Sequence, residues 1–216
     1  MSELKQKLVE SIIHSIIVMI ISLIITSVII IDLSNIFFMV ISFIIGVIFL
    51  VIYIKKPYNK ESLMINSWIC MICVLFIGNL IGKMIPLASI ISCGIAISIV
   101  DIISFTKIGS KTSNAKVMSN KNLMSKLIVY SKSVKNNNIV PTKGLGDFVF
   151  YTILLSGLYK ISNSNYYLFY GACLVFLGCA INWIIVCFIY KKKWYKGFPA
   201  TFIPFILLLP LFVRLI

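Results

Sequence analysis

The sequence predicts an all-α polytopic membrane protein with about seven transmembrane helices. Composition, the spacing of apolar blocks and the sidedness of the basic residues carry that prediction. Of 216 residues, 60% are apolar and 12% charged, and the mean hydropathy is +1.05. Soluble domains hold nearer one half apolar residues. A window of about 20 residues, the length that crosses a bilayer, isolates seven blocks. They are 11–31, 36–54, 66–82, 85–105, 144–159, 166–190 and 198–213. The net charge of +14 would suggest a nucleic-acid partner in a soluble protein. Here the lysines alternate by loop, so the partner is the lipid bilayer and no nucleic acid is expected.

The first block follows Lys5 and Lys7 as a signal sequence would. Its apolar run is too long for one and no small-residue cleavage site follows, so it reads as a retained helix. With the N-terminus cytoplasmic and the C-terminus outside, seventeen of the twenty basic residues fall inside, and only Lys83, Lys160 and Arg214 fall outside. Seven spans then satisfy the positive-inside rule at every loop. The expected location is the cell membrane.

Gly78 and Gly82 in the third block form a Gly-x-x-x-Gly pair, which permits close helix approach. The six cysteines lie in apolar blocks, where they behave as small apolar residues. Cys70 and Cys73 have redox-motif spacing without the strand-to-helix setting such a motif needs. His14 reads as a polar helix contact. No metal constellation is visible, and neither a metal nor a cofactor is expected.

Three regions follow. Residues 1–105 hold helices one to four; 106–143 form a cytoplasmic loop rich in Lys, Ser and Asn; and 144–216 hold helices five to seven. Such a loop buries too little apolar surface to offset its ordering entropy, so most of it is expected to be mobile. Within it, Leu123, Met124, Leu127 and Ile128 recur at helical spacing among Lys121, Lys126 and Lys132. That pattern predicts an amphipathic helix held on the membrane face by anionic lipid; a merely sticky loop segment explains it equally well. Pro199, Pro204 and Pro210 predict that the last span is not a continuous regular helix and that it lines a cavity.

Only six carboxylates occur. Glu3, Glu10, Asp32 and Glu61 fall in termini or loops. Asp101 closes the fourth block and Asp147 opens the fifth. An ionisable residue inside a membrane is costly, at least ~2.5 kcal/mol on insertion scales, and marks a functional site by default. The two blocks are consecutive and antiparallel, so both carboxylates lie roughly 5 to 9 Å below the cytoplasmic boundary. Two carboxylates at one depth can share a proton, leaving one as acid and the other as base, and together activate a water. Taken singly, each has another reading. Asp147 suits a helix N-cap, and Asp101 suits a partner of Lys107.

Gly144-Leu145-Gly146-Asp147-Phe148 resembles the Gly-x-Gly-Asp motif of the presenilin and signal peptide peptidase family of intramembrane aspartyl proteases. Val100-Asp101 resembles that family's Tyr-Asp motif, with Val for Tyr. Phe198-Pro199-Ala200-Thr201 resembles its Pro-Ala-Leu motif, with Thr for Leu. The resemblance spans Ile85 to the C-terminus, is similar to microbial presenilin homologues, and maps these seven spans onto the last seven of the family's nine.

It implies a presenilin-like catalytic core and an aspartic endopeptidase acting on transmembrane-helix proteins without a cofactor. Asp101 and Asp147 are the implied catalytic pair, and Gly144, Leu145, Gly146, Pro199, Ala200 and Thr201 the implied substrate-binding residues. Prepilin peptidases also use two aspartates and Gly-x-Gly-Asp, but no paired Cys-x-x-Cys region accompanies it here. A proton- or cation-coupled transporter would use an aspartate pair in broken helices; no inverted repeat is visible. Substrate and oligomeric state are open.

Overall fold

The computed structural model describes residues 3–56, 59–104, 120–133, 138–191 and 199–215. Eight helices and one hairpin occur among them: α1 (Glu3–Asp32), α2 (Ile36–Lys55), α3 (Lys60–Met84), α4 (Leu87–Ser104), the short α5 (Lys121–Lys126), β1 (Ile128–Lys132), β2 (Ile139–Gly144), α6 (Leu145–Ser162), α7 (Asn165–Ile189) and α8 (Phe202–Leu215). Five stretches are long and apolar enough to cross a membrane: Gln6–Asp32, Ile36–Lys55, Glu61–Met84, Leu87–Ser104 and Asn165–Ile189. The chain is thus a predominantly helical membrane protein.

Each apolar block coincides with one helix. Helix α1 starts eight residues before its block because its first two turns, polar in sequence, are helical nonetheless. The connections from α1 to α2, from α3 to α4 and from α6 to α7 are short, and caps set several boundaries. Asn35 Oδ1 accepts from Phe37 N–H and Asn59 Oδ1 from Glu61 N–H, both at 2.9 Å, which satisfies donors that a helix start leaves orphaned.

Helix α6 is the centre of the packing, with ten of its eighteen residues buried. The Gly-x-x-x-Gly pair explains how α3 reaches it. A Cβ at Gly78 would lie 2.9 Å from the Val149 carbonyl oxygen, and one at Gly82 2.6 Å from that of Ile153. Only glycine allows these backbones so close. The same interface buries a Ser156 Oγ to Asn79 Oδ1 hydrogen bond of 2.9 Å.

Two expectations about the 106–143 region need correction. The helix ends at Lys126, and Ile128 opens a strand, so the helical spacing does not continue through it. The segment also contains an antiparallel hairpin, with Tyr130 opposite Pro141 and Ile128 opposite Gly144. Residues 128–130 are β-branched or aromatic, which suits a strand, and distant helices hold it there. Ser11 and Ser15 of α1 donate to the Pro141 and Thr142 carbonyls at 2.7 and 3.0 Å. On β1, Tyr130 N–H donates to Ser67 Oγ and Trp68 Nε1 donates to the Tyr130 carbonyl. Ser131 Oγ lies 2.9 Å from His14 Nδ1, which is the polar contact that histidine makes. The mobility expected of the rest, together with Lys107, lies outside the described residues.

The last span also differs from expectation. From Phe202 to Leu215 the helix is continuous. Pro204 sits in its first turn, where no backbone donor is needed, and only Pro210 is interior. Pro199 precedes the helix in non-helical backbone.

A candidate two-aspartate site

The buried residues of α4 recur every fourth position, Ile90, Gly94 and Ser98, a single stripe on one face. Ile90 fills the space left by Gly157 of α6, and Phe205 of α8 fills that left by Gly94. Three residues beyond Ser98 on that face comes Asp101, three before the helix ends. The stripe that docks α4 thus aims its carboxylate at the junction of α6 and α8.

Asp147 is the third residue of α6, whose N-cap is Gly144. It is therefore not the N-cap, although an acid in the first turn complements the helix dipole. Both aspartates stand about one turn from their helix ends. They line one cavity of about 460 Å³ together with Gly146, Thr201 and the apolar side chains of Ala96, Ile97, Val100, Val149, Phe150 and Ile153.

Thr201 fixes one side of the pair. Its backbone N–H and its Oγ1 both donate to Asp101 Oδ2, at 3.1 and 2.8 Å. Two donors on one oxygen orient the carboxylate and leave Oδ1 for a water or substrate. The segment that carries Thr201 is anchored in turn, because the Ala200 carbonyl accepts from Tyr151 Oη of α6 and Asn182 Nδ2 of α7, both at 2.9 Å. Non-helical backbone at membrane depth needs such partners.

The other implied site residues divide. Gly146 and Thr201 line the cavity, whereas Gly144, Leu145, Pro199 and Ala200 do not. Leu145 is buried in the core, and its N–H donates to the Leu127 carbonyl, 2.8 Å away, tying the start of α6 to the end of α5. Ala200 contributes its carbonyl to the anchor. A Cβ at Gly146 would meet nothing within 4 Å; the glycine keeps the cavity wall low and is not required by packing.

Three residues near the site escaped the sequence reading. Tyr151 stands in the motif stretch itself, and Asn182 is a lone amide in an apolar span, so both had a visible signal. Lys143, counted among the cytoplasmic loop charges, is buried behind α6. Its Nζ lies 3.1 Å from Cys179 Sγ and 4.8 Å from the centre of the Tyr151 ring. Lysine stems do cover apolar surface, but nothing in the loop composition distinguishes this one from its neighbours. Comparison with protein-family models, characterised proteins and solved structures finds no match.

Proposed function

We propose that this chain is an intramembrane aspartyl protease of the presenilin type, with seven spans, a cytoplasmic N-terminus and an external C-terminus. One observation carries the reading. Asp101 and Asp147, a third of the chain's acids, come from separate helices to line one apolar-walled cavity, with Thr201 holding the first in place. Lys143 is near enough for its charge to act on both carboxylates, but its Nζ is directed to Cys179 Sγ. Among the described residues, no side chain donates a hydrogen bond to Asp147.

In this reading the pair shares one proton and holds a water between them. The ionised carboxylate takes a proton from the water as its oxygen attacks a peptide carbonyl of the substrate, and the protonated carboxyl hydrogen-bonds the developing oxyanion. Collapse of the tetrahedral intermediate breaks the C–N bond, and the departing nitrogen takes up a proton from the pair. Water supplies the hydroxyl of the new acid and a hydrogen of the new amine. At a rise of 1.5 Å per residue α6 measures about 27 Å, less than a hydrocarbon core of ~30 Å, which favours water at its carboxylate end.

Cleavage of a transmembrane peptide by the purified protein tests this. Asp101→Ala and Asp147→Ala should each abolish cleavage while elution and thermal unfolding stay near those of the parent. Substantial cleavage by either variant rules the mechanism out.

A further inference from the structure

A second cavity, of about 360 Å³, lies where α2 ends and α3 begins, apart from the aspartates. Lys56, Asn59, Ser62, Asn66 and Lys126 contribute to its polar lining, and among the described residues no carboxylate lines it. Glu61, in the same turn of α3, is exposed elsewhere.

Lys126 is 7% exposed, and a buried ammonium needs compensation. Its Nζ donates to the carbonyls of Ile54 and Lys56 at the end of α2. A helix C-terminus offers only about half a negative charge. Among the described residues Nζ donates to these two carbonyls alone, and Lys56 adds a second positive charge. Asn59 spends its Oδ1 capping α3, which leaves its amide hydrogens as donors, and Ser62 and Asn66 supply more. Converging cations and neutral donors without an acid suit an anion with several acceptor oxygens, and phosphate is the common case for lysine.

The depth of the cavity identifies the carrier. Helix α2 is apolar enough to span, so its end lies at the headgroup level. Along the preceding turns Ile48, Val51 and Ile52 are 53%, 46% and 49% exposed, a surface for acyl chains. We propose that this cavity binds the headgroup phosphate of an anionic phospholipid. The arrangement is not that of a helix lying on the membrane, because Lys126 is tucked under the end of α2 and does not face the lipid surface.

The test follows thermal unfolding of the full chain in neutral detergent while phosphatidylglycerol, phosphatidylcholine or inorganic phosphate is titrated. Phosphatidylglycerol should raise the midpoint saturably. Phosphatidylcholine, whose choline would meet the two lysines, should not, and inorganic phosphate should act only at far higher concentration. Lys56→Gln and Asn66→Leu, which leave the Lys126 contacts intact, should weaken the phosphatidylglycerol response about tenfold each, the worth of one charge-assisted hydrogen bond. Lys126→Met should remove it if that variant folds. Equal responses to both lipids, or an undiminished response in Lys56→Gln and Asn66→Leu, would overturn the site. Inorganic phosphate as effective as lipid at equal concentration would overturn the lipid assignment.

Discussion

Replacing Gly82 and Gly146 separately with alanine should affect the molecule in opposite ways, although both are glycines on helices at the centre of the fold. At Gly82 the new methyl would sit 2.6 Å from the Ile153 carbonyl oxygen and 2.7 Å from Ser156 Cβ. Helices α3 and α6 would have to separate by about 0.8 Å to restore ordinary contact. Overpacking of this kind costs about 1–3 kcal/mol. The same displacement stretches the buried Ser156–Asn79 hydrogen bond from 2.9 Å past useful length, at a further ~1–3 kcal/mol. Alanine's better helix propensity returns up to ~1 kcal/mol, for a net loss of roughly 1 to 6 kcal/mol. At Gly146 the methyl meets nothing within 4 Å, so stability should hold or rise by up to ~1 kcal/mol through helix propensity. The methyl enters the cavity beside Asp147, and cleavage of a transmembrane peptide should fall. Unfolding in detergent and the cleavage rate, measured on both variants, separate the two effects. The reasoning fails if Gly146→Ala unfolds as readily as Gly82→Ala, or if it cleaves at the parent rate.

Thr201→Val removes one of the two donors to Asp101 Oδ2 and leaves the backbone donor at 3.1 Å. Its cleavage rate should drop by roughly one to two orders of magnitude, with Thr201→Ser restoring most of it. Tyr151→Phe and Asn182→Ala each leave the Ala200 carbonyl one of its two donors. A double-mutant cycle in detergent unfolding should show the pair costing more than the sum of the singles, since only then is the carbonyl orphaned. For topology, single cysteines in a cysteine-free background should label from the cytoplasmic side at Lys132 and from outside at Arg214. Labelling of position 214 from the cytoplasm would remove the seven-span arrangement.

Among the described residues hydropathy located each helix of fourteen residues or more, five of them long and apolar enough to span, because a helix that faces lipid or the core is rich in apolar residues. It could not find the first two turns of α1, which are polar, nor the hairpin. The strands are held by Ser11, Ser15, Ser67 and Trp68, which are 62 to 130 residues away in sequence from their partners. Pairings at that separation leave no local periodicity to read. The aspartates were legible for the opposite reason, since a carboxylate in an apolar block stands out individually. Thr201 entered through its motif, yet its two hydrogen bonds to Asp101 depend on how α8 packs on α4. Lys143 was hidden because a buried lysine and a solvated one read alike in a lysine-rich stretch.

The burial of α6 has a consequence for how the protein is made. This helix carries Asp147 and Lys160 and falls outside the set apolar enough to cross a membrane unaided. To the machinery that partitions each emerging segment between water and lipid, it is a poor candidate for entry. Its Ser156 finds its partner, Asn79, in α3, which lies about sixty residues earlier in the chain and offers the glycine seam. In the finished fold that seam of α3 is the face on which α6 docks. The residues that allow two backbones to touch thereby tie the burial of the less apolar helix to the more apolar one.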